Sequence, residues 1–198
     1  MNTKAALRRL SELRLRETFA HERRCGALAF ALSEHLGLPP ATCAAYRHAA
    51  ELHDVGKLVV PDAVLEKPGR LSAEEYALVR RHTEYGHDIL TASGEPGLAL
   101  AAEVALMHHE RWDGSGYPHG LRGEAIPPAA RLVALCDVYA ALREERTYKA
   151  PLSHEATCHW LLNGTPAGEG LHPGQFDPDL LAVLATDPAL FHGAFALA

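Results

Sequence analysis

Two successive histidines, His108-His109, close an apolar stretch and open a run rich in glycine and proline. Packing alone explains such a pair poorly, because neighbouring imidazoles offer two nitrogen donors at one place. A second group, His53-Asp54, ends the apolar segment Ala49-Ala50-Glu51-Leu52, and Lys57 follows one turn later. Adjacent imidazole and carboxylate side chains can serve neighbouring metal ions, and a carboxylate can bridge two. They can equally decorate a helix C-terminus, where His and Lys complement the dipole. Asp137 lies within Arg131-Leu132-Val133-Ala134-Leu135-Cys136-Asp137-Val138-Tyr139, an almost wholly apolar helical run. A carboxylate buried there needs a cation, hydrogen bonds or a salt bridge to an arginine.

Weaker signals accompany these. His82 stands on a helical stretch with His87 as a competitor, and Glu17 and His21 are four apart on one helix face, where an exposed hydrogen bond is the plainer reading. Together the set comprises five imidazoles (His21, His53, His82, His108, His109) and three carboxylates (Glu17, Asp54, Asp137). Mixed nitrogen and oxygen donors suit Fe, Mn or Zn rather than Mg or Ca. Eight donors exceed the needs of one ion and suit a cluster that polarises a phosphoryl oxygen and activates water.

The elements that must position these groups are helical. Apolar spacing predicts a long or broken helix over 4–36, then helices over about 41–54, 72–92, 97–109, 129–143, 153–163 and 177–186. Ser72 and Glu75 have the spacing of a capping box. Residues 57–71 read as a loop or short turns, and 111–128 as a long ordered loop carrying Gly114, Gly116, Pro118, Gly120, Gly123, Pro127 and Pro128. No alternating strand, repeat or domain break is visible, so the expected class is all-α, with 1–198 as one domain. Composition is that of a globular chain, with 47% hydrophobic and 22% charged residues. A net charge of −6 argues against a nucleic-acid polymer as partner. No apolar run reaches the length of a membrane span, and the N-terminus lacks a signal-peptide core. Cys25, Cys43, Cys136 and Cys158 are scattered and read as reduced thiols in a cytoplasmic protein.

With these residues in view, the chain resembles the HD-GYP family of the HD phosphohydrolase superfamily from about 17 to 179. His53-Asp54 with Gly56-Lys57 is similar to the HD signature. Pro61-Asp62 and Lys67-Pro68-Gly69 are similar to the segment after it. The run His108-His109-Glu110-Arg111-Trp112-Asp113-Gly114-Ser115-Gly116-Tyr117-Pro118 resembles the element that names the family. The resemblance implies an HD-domain helical bundle with an ordered Gly/Pro-rich GYP loop. It implies two or three divalent ions, Fe or Mn, held by His21, His53, Asp54, His82, His108, His109 and Asp137, with Glu17 for a third ion. It implies cyclic di-GMP as substrate, cleaved to pGpG and on to GMP. Lys57 would contact the scissile phosphate, and Tyr117 would order the loop or touch the ligand. Arg146 and Lys149 would grip the phosphates or a guanine face. A diguanylate cyclase or a separate sensory protein is the implied partner, and a homodimer stays open. The chain departs from the family at Ala140, where an acidic residue is usual, and in the charged stretch Arg143-Glu144-Glu145-Arg146. Two other readings stand beside this one: an HD phosphohydrolase for another nucleotide, and a module that binds cyclic di-GMP or a partner without turnover.

Overall fold

The computed structural model describes residues 3–14, 16–145, 150–165 and 170–197, with backbone alone at residue 4 and residues 16–19. Among the described residues the chain forms eleven α-helices and no strand. They are α1 (Thr3–Arg14), α2 (Arg16–His35), α3 (Pro40–Ala50), α4 (Asp62–Leu65), α5 (Ala73–Arg80) and α6 (His82–Ala92). After them come α7 (Ala99–Met107), α8 (Pro128–Arg143), α9 (His154–Asn163), α10 (Pro178–Thr186) and α11 (Pro188–Ala196). The all-α expectation holds, and no described helix is long and apolar enough to cross a membrane.

α2 is the spine of the bundle, packed against α3, α8 and α11, while α6 packs on α7 and on a 3₁₀ turn, Val55–Val59. The apolar faces meet in one core. Leu28 and Leu32 of α2 are buried with Leu90, Val104, Leu132, Leu135, Tyr139 and Phe191. Burying such side chains is the main stabilising contribution, roughly 1.5–3 kcal/mol for each large one.

Several helices end sooner than their apolar periodicity suggests. α3 stops at Ala50, so His53 and Asp54 fall in the turn beyond it. α7 stops at Met107, leaving His108 and His109 just outside. The segment 72–92 splits at Arg81 into α5 and α6. In each case a histidine near the end turns back on a carbonyl of the preceding turn. The capping box forms: the Glu75 N–H donates to Ser72 Oγ and the Ser72 N–H donates to Glu75 Oε2. Residues 57–71, expected as a loop or short turns, include the short α4. The helix α11 was not expected. Its start is nevertheless chemically ordinary, with Asp187 capping Leu190 N–H and Pro188 in the first turn.

Candidate metal centre

Three histidines share one local device. His53 Nδ1 donates to the Ala50 carbonyl at 2.7 Å, and His82 Nδ1 donates to the Val79 carbonyl at 2.7 Å. His108 Nδ1 donates to the carbonyls of Val104 and Ala105, both at 3.1 Å. A carbonyl only accepts, so Nδ1 carries the proton in these rings and caps the C-terminal turn of α3, α5 or α7. Nε2 is then left facing inward as a lone pair. The capping role and the ligand role of these residues are therefore compatible, since each uses a different nitrogen.

The inward atoms converge. His82 Nε2 lies 3.4 Å from His108 Nε2 and 3.3 Å from Asp54 Oδ1, and His108 Nε2 lies 3.9 Å from the same oxygen. Burial lowers His82, His108 and His109, the last to about 3, so these rings are neutral at ordinary pH. Burial opposes charge on Asp54, but the Lys57 ammonium holds its carboxyl well below the usual carboxylate range. Asp54 Oδ1 and His53 Nε2 are buried without any hydrogen-bond partner. Lone pairs and a carboxylate oxygen thus face one another with no donor between them. That arrangement repels itself unless a cation sits among the atoms, and it fits a divalent metal ion.

Three overlapping groups of potential ligand atoms, each spanning no more than 4.8 Å, emerge from this packing: His82, His108 and His109; His53, Asp54 and His108; and His21, Cys25, His53 and Asp137. Shared His53 and His108 link them into one centre. α2, α8 and the turn after α3 supply the third group, where His21 Nε2 is 2.9 Å from Asp137 Oδ1 and His53 Nε2 is 4.0 Å from it. Seven of the eight expected ligands are thereby brought together. Glu17 lies in the first turns of α2, and its side chain is outside the described residues. His87 is excluded from the centre: it points to Asp88 on the exposed side of α6.

The remaining expected site residues divide. Lys57 Nζ is paired with Asp54 Oδ2 at 2.5 Å, with its side chain 26% exposed. The Tyr117 ring stacks on His109 at 4.8 Å, with the Arg80 guanidinium 4.3 Å from its centroid. Arg146 and Lys149 lie outside the described residues. The loop that carries Tyr117 is built on Glu110, a buried carboxylate that accepts from the N–H groups of His119 at 2.7 Å and Leu121 at 2.9 Å. Gly116 lets the loop close, because a Cβ there would come within 2.5 Å of the backbone at His109, Glu110 and Arg111. Gly56 is equally constrained: its Cβ would meet the His82 carbonyl oxygen at 1.9 Å.

Reading the sequence missed several neighbours of the centre. Cys25 Sγ is 3.4 Å from His21 Nε2, and its four-residue spacing from His21 could have signalled this. Arg80 and Glu110 sit beside recognised motif residues. Glu22 adjoins His21 in sequence but gave no pattern of its own. Ala140, the departure from the family, is buried on α8.

Comparison with known proteins agrees with this geometry. Residues 5–160 match the family model described as HD domain. The chain is 41% identical over 173 residues to the 3'3'-cGAMP-specific phosphodiesterase 2 of Vibrio cholerae, covering 87% of this chain and 32% of that protein. It is 45% identical over 145 residues to the Cyclic di-GMP phosphodiesterase of Thermotoga maritima, covering 73% of this chain and 39% of that one. The chain therefore spans about a third of the length of these relatives. In fold it is similar to the HD domain of L. monocytogenes phosphodiesterase PgpH in complex with cyclic-di-AMP, with a TM-score of 0.65, 15% identity, and coverage of 97% and 96% of the two chains. Motif order, helical architecture and these matches agree that the chain belongs to the HD domain family, in its HD-GYP branch.

Proposed function

We propose that this chain is a single HD-GYP domain acting as a metal-dependent phosphodiesterase that opens cyclic di-GMP to pGpG, with GMP as the product of a second cut. The observation that carries the proposal is the donor-free convergence of His82 Nε2, His108 Nε2 and Asp54 Oδ1. The relatives' names supply the substrate class: both are phosphodiesterases of cyclic dinucleotides. His21, His53, Asp54, His82, His108, His109 and Asp137 would hold two ions, with Glu17 contributing to a third. Nitrogen and oxygen donors favour iron or manganese among the divalent ions. Such ions, when bound, polarise a phosphoryl oxygen and lower the pKa of water.

The chain's own groups perform the rest. Asp54 presents one oxygen to His82 and His108 and holds Lys57 with the other. That contact keeps an ammonium at the rim, placed to bear charge developing on the phosphate oxygens. Tyr117, stacked on His109 beneath Arg80, forms a fixed wall against which the substrate is oriented. Arg146 and Lys149 grip the phosphates or the base. The protein works in the cytoplasm, with a diguanylate cyclase or a sensory protein as regulatory partner.

The test is anaerobic reconstitution with Mn(II) or Fe(II), elemental analysis, and product chromatography on cyclic di-GMP, 3'3'-cGAMP and cyclic di-AMP. At least two ions per chain and pGpG as first product are expected. Less than one ion, or full loading without cleavage of any of the three, defeats the proposal. Faster cleavage of 3'3'-cGAMP would keep the chemistry and replace the substrate, an outcome to which the 41% identical relative gives weight.

A further inference from the structure

α8 ends at Arg143, and Glu144 leaves it in an extended conformation (φ −96°, ψ 145°). That exit turns the Glu144 side chain back toward α2. Its Oε2 lies 2.9 Å from His21 Nδ1, and its Oε1 accepts from the Arg24 guanidinium at 3.0 Å. Both carboxylate oxygens are therefore engaged, and the side chain is only 11% exposed.

His21 differs from the other imidazoles of the centre. His53, His82 and His108 fix their rings on helix-end carbonyls, whereas His21 lies within α2, where the carbonyls are taken by the helix itself. Its ring must be oriented from outside. Two carboxylates flank it. Asp137 faces Nε2 at 2.9 Å and belongs with His53 and Cys25 to one ligand group. Glu144 faces the opposite nitrogen and is not part of that group. A carboxylate on the far nitrogen of a metal-binding imidazole fixes its tautomer and ring angle and raises its basicity.

We infer that Glu144 is the positioning residue of His21: pinned by Arg24, it holds Nδ1–H so that Nε2 is presented to the ion shared with Asp137 and His53. This rests on the metal-centre reading and adds to it a residue the ligand motifs do not include. It also gives the charged stretch Arg143-Glu144-Glu145-Arg146 a purpose. Glu144 fastens the start of the segment bearing Arg146 and Lys149 to a metal ligand, two residues before the first of them.

The test uses the full chain reconstituted with Mn(II), with ion count and affinity read by competition against a chromophoric chelator. Glu144→Ala should weaken one ion by about 10- to 100-fold and leave the ion at His82, His108 and His109 unchanged. Glu144→Gln, nearly isosteric and still able to accept from Nδ1–H, should show a smaller loss at the same ion. Arg24→Ala, which frees the other end of the carboxylate, should also weaken that ion alone. In the diamagnetic Zn(II)-loaded protein, the His21 ring-nitrogen NMR signals should show one Nε2-ligated form in the parent and a partly unligated ring in Glu144→Ala. If Glu144→Ala and Arg24→Ala both bind every ion as the parent does, and only melt earlier, Glu144 is a structural clamp and the inference is wrong. If the parent protein itself holds less than one ion, the metal-centre reading falls and takes this inference with it.

Discussion

Glu22 is the clearest place to measure what the centre imposes on the fold. It is 2% exposed, and its Oε1 has no hydrogen-bond partner. Burial, helped by the nearby charge of Asp54 and opposed by His53, Lys57 and His21, raises its carboxyl from the ordinary 4.5 to about 7. In the unfolded chain the group ionises near its ordinary value. Below that pH it is neutral in both states and imposes no charge penalty. Between about 4.5 and about 7 folding is progressively penalised, and above about 7 the penalty is complete. A gap of that size corresponds to roughly 3 kcal/mol. Glu22→Gln removes the charge at nearly constant volume, so at pH 8 in chelator it should stabilise the protein by up to about 3 kcal/mol, less the effect of any unmet amide hydrogen bond. The gain should shrink steadily toward pH 4.5. Urea titrations of both proteins at pH 5, 6.5 and 8 make the comparison. Bound cations should lower the penalty, so the gain should be smaller after reconstitution with Mn(II). A Glu22→Gln variant equal in stability to the parent at all three pH values, or most stabilised at pH 5, would refute the reasoning.

Three further outcomes follow from the site. Asp54→Ala should abolish both metal retention and diester cleavage while circular dichroism stays near that of the parent, because the residue lies beyond the end of α3; substantial residual cleavage would contradict its place in the centre. Gly56→Ala should destabilise the protein by about 1–3 kcal/mol or more in urea titration, since the added methyl meets the His82 carbonyl oxygen and α6 must move. Tyr117→Ala should lower kcat/KM about tenfold with ion content unchanged, because the wall that orients the substrate is lost, and should lower stability by roughly 1–2 kcal/mol of stacking and cation–π contact; loss of ions as well would place the ring in a supporting role for His109.

Much of this site was legible because its residue types conflict with their surroundings. Asp137 in an apolar helix and His108-His109 at the end of another make little sense as packing, and the structure brings both into the centre. Helical class was equally legible, since period 3.6 runs through the chain. Helix ends were not, because periodicity continues through Leu52 and Met107 while the backbone has already turned at Ala50 and closes after Met107. At the end of α3 His53 turns back on the Ala50 carbonyl, a local choice of rotamer that spacing alone does not encode. Glu144 and Glu22 were invisible for a related reason: their roles arise from which helix faces them.

The helix-end histidines have a consequence for how the molecule opens. Last turns of helices ordinarily fray first, independently of one another. Here the closing turns of α3, α5 and α7 are each gripped by an imidazole whose other nitrogen points to a common centre. Ions bound through those nitrogens would join three remote stretches of chain into one cooperative unit. Their amide protons should then exchange together, at a rate set by ion release. Without the ion each turn loosens by its own local equilibrium, so the same ligands that would run the chemistry also decide which parts of the backbone move as one.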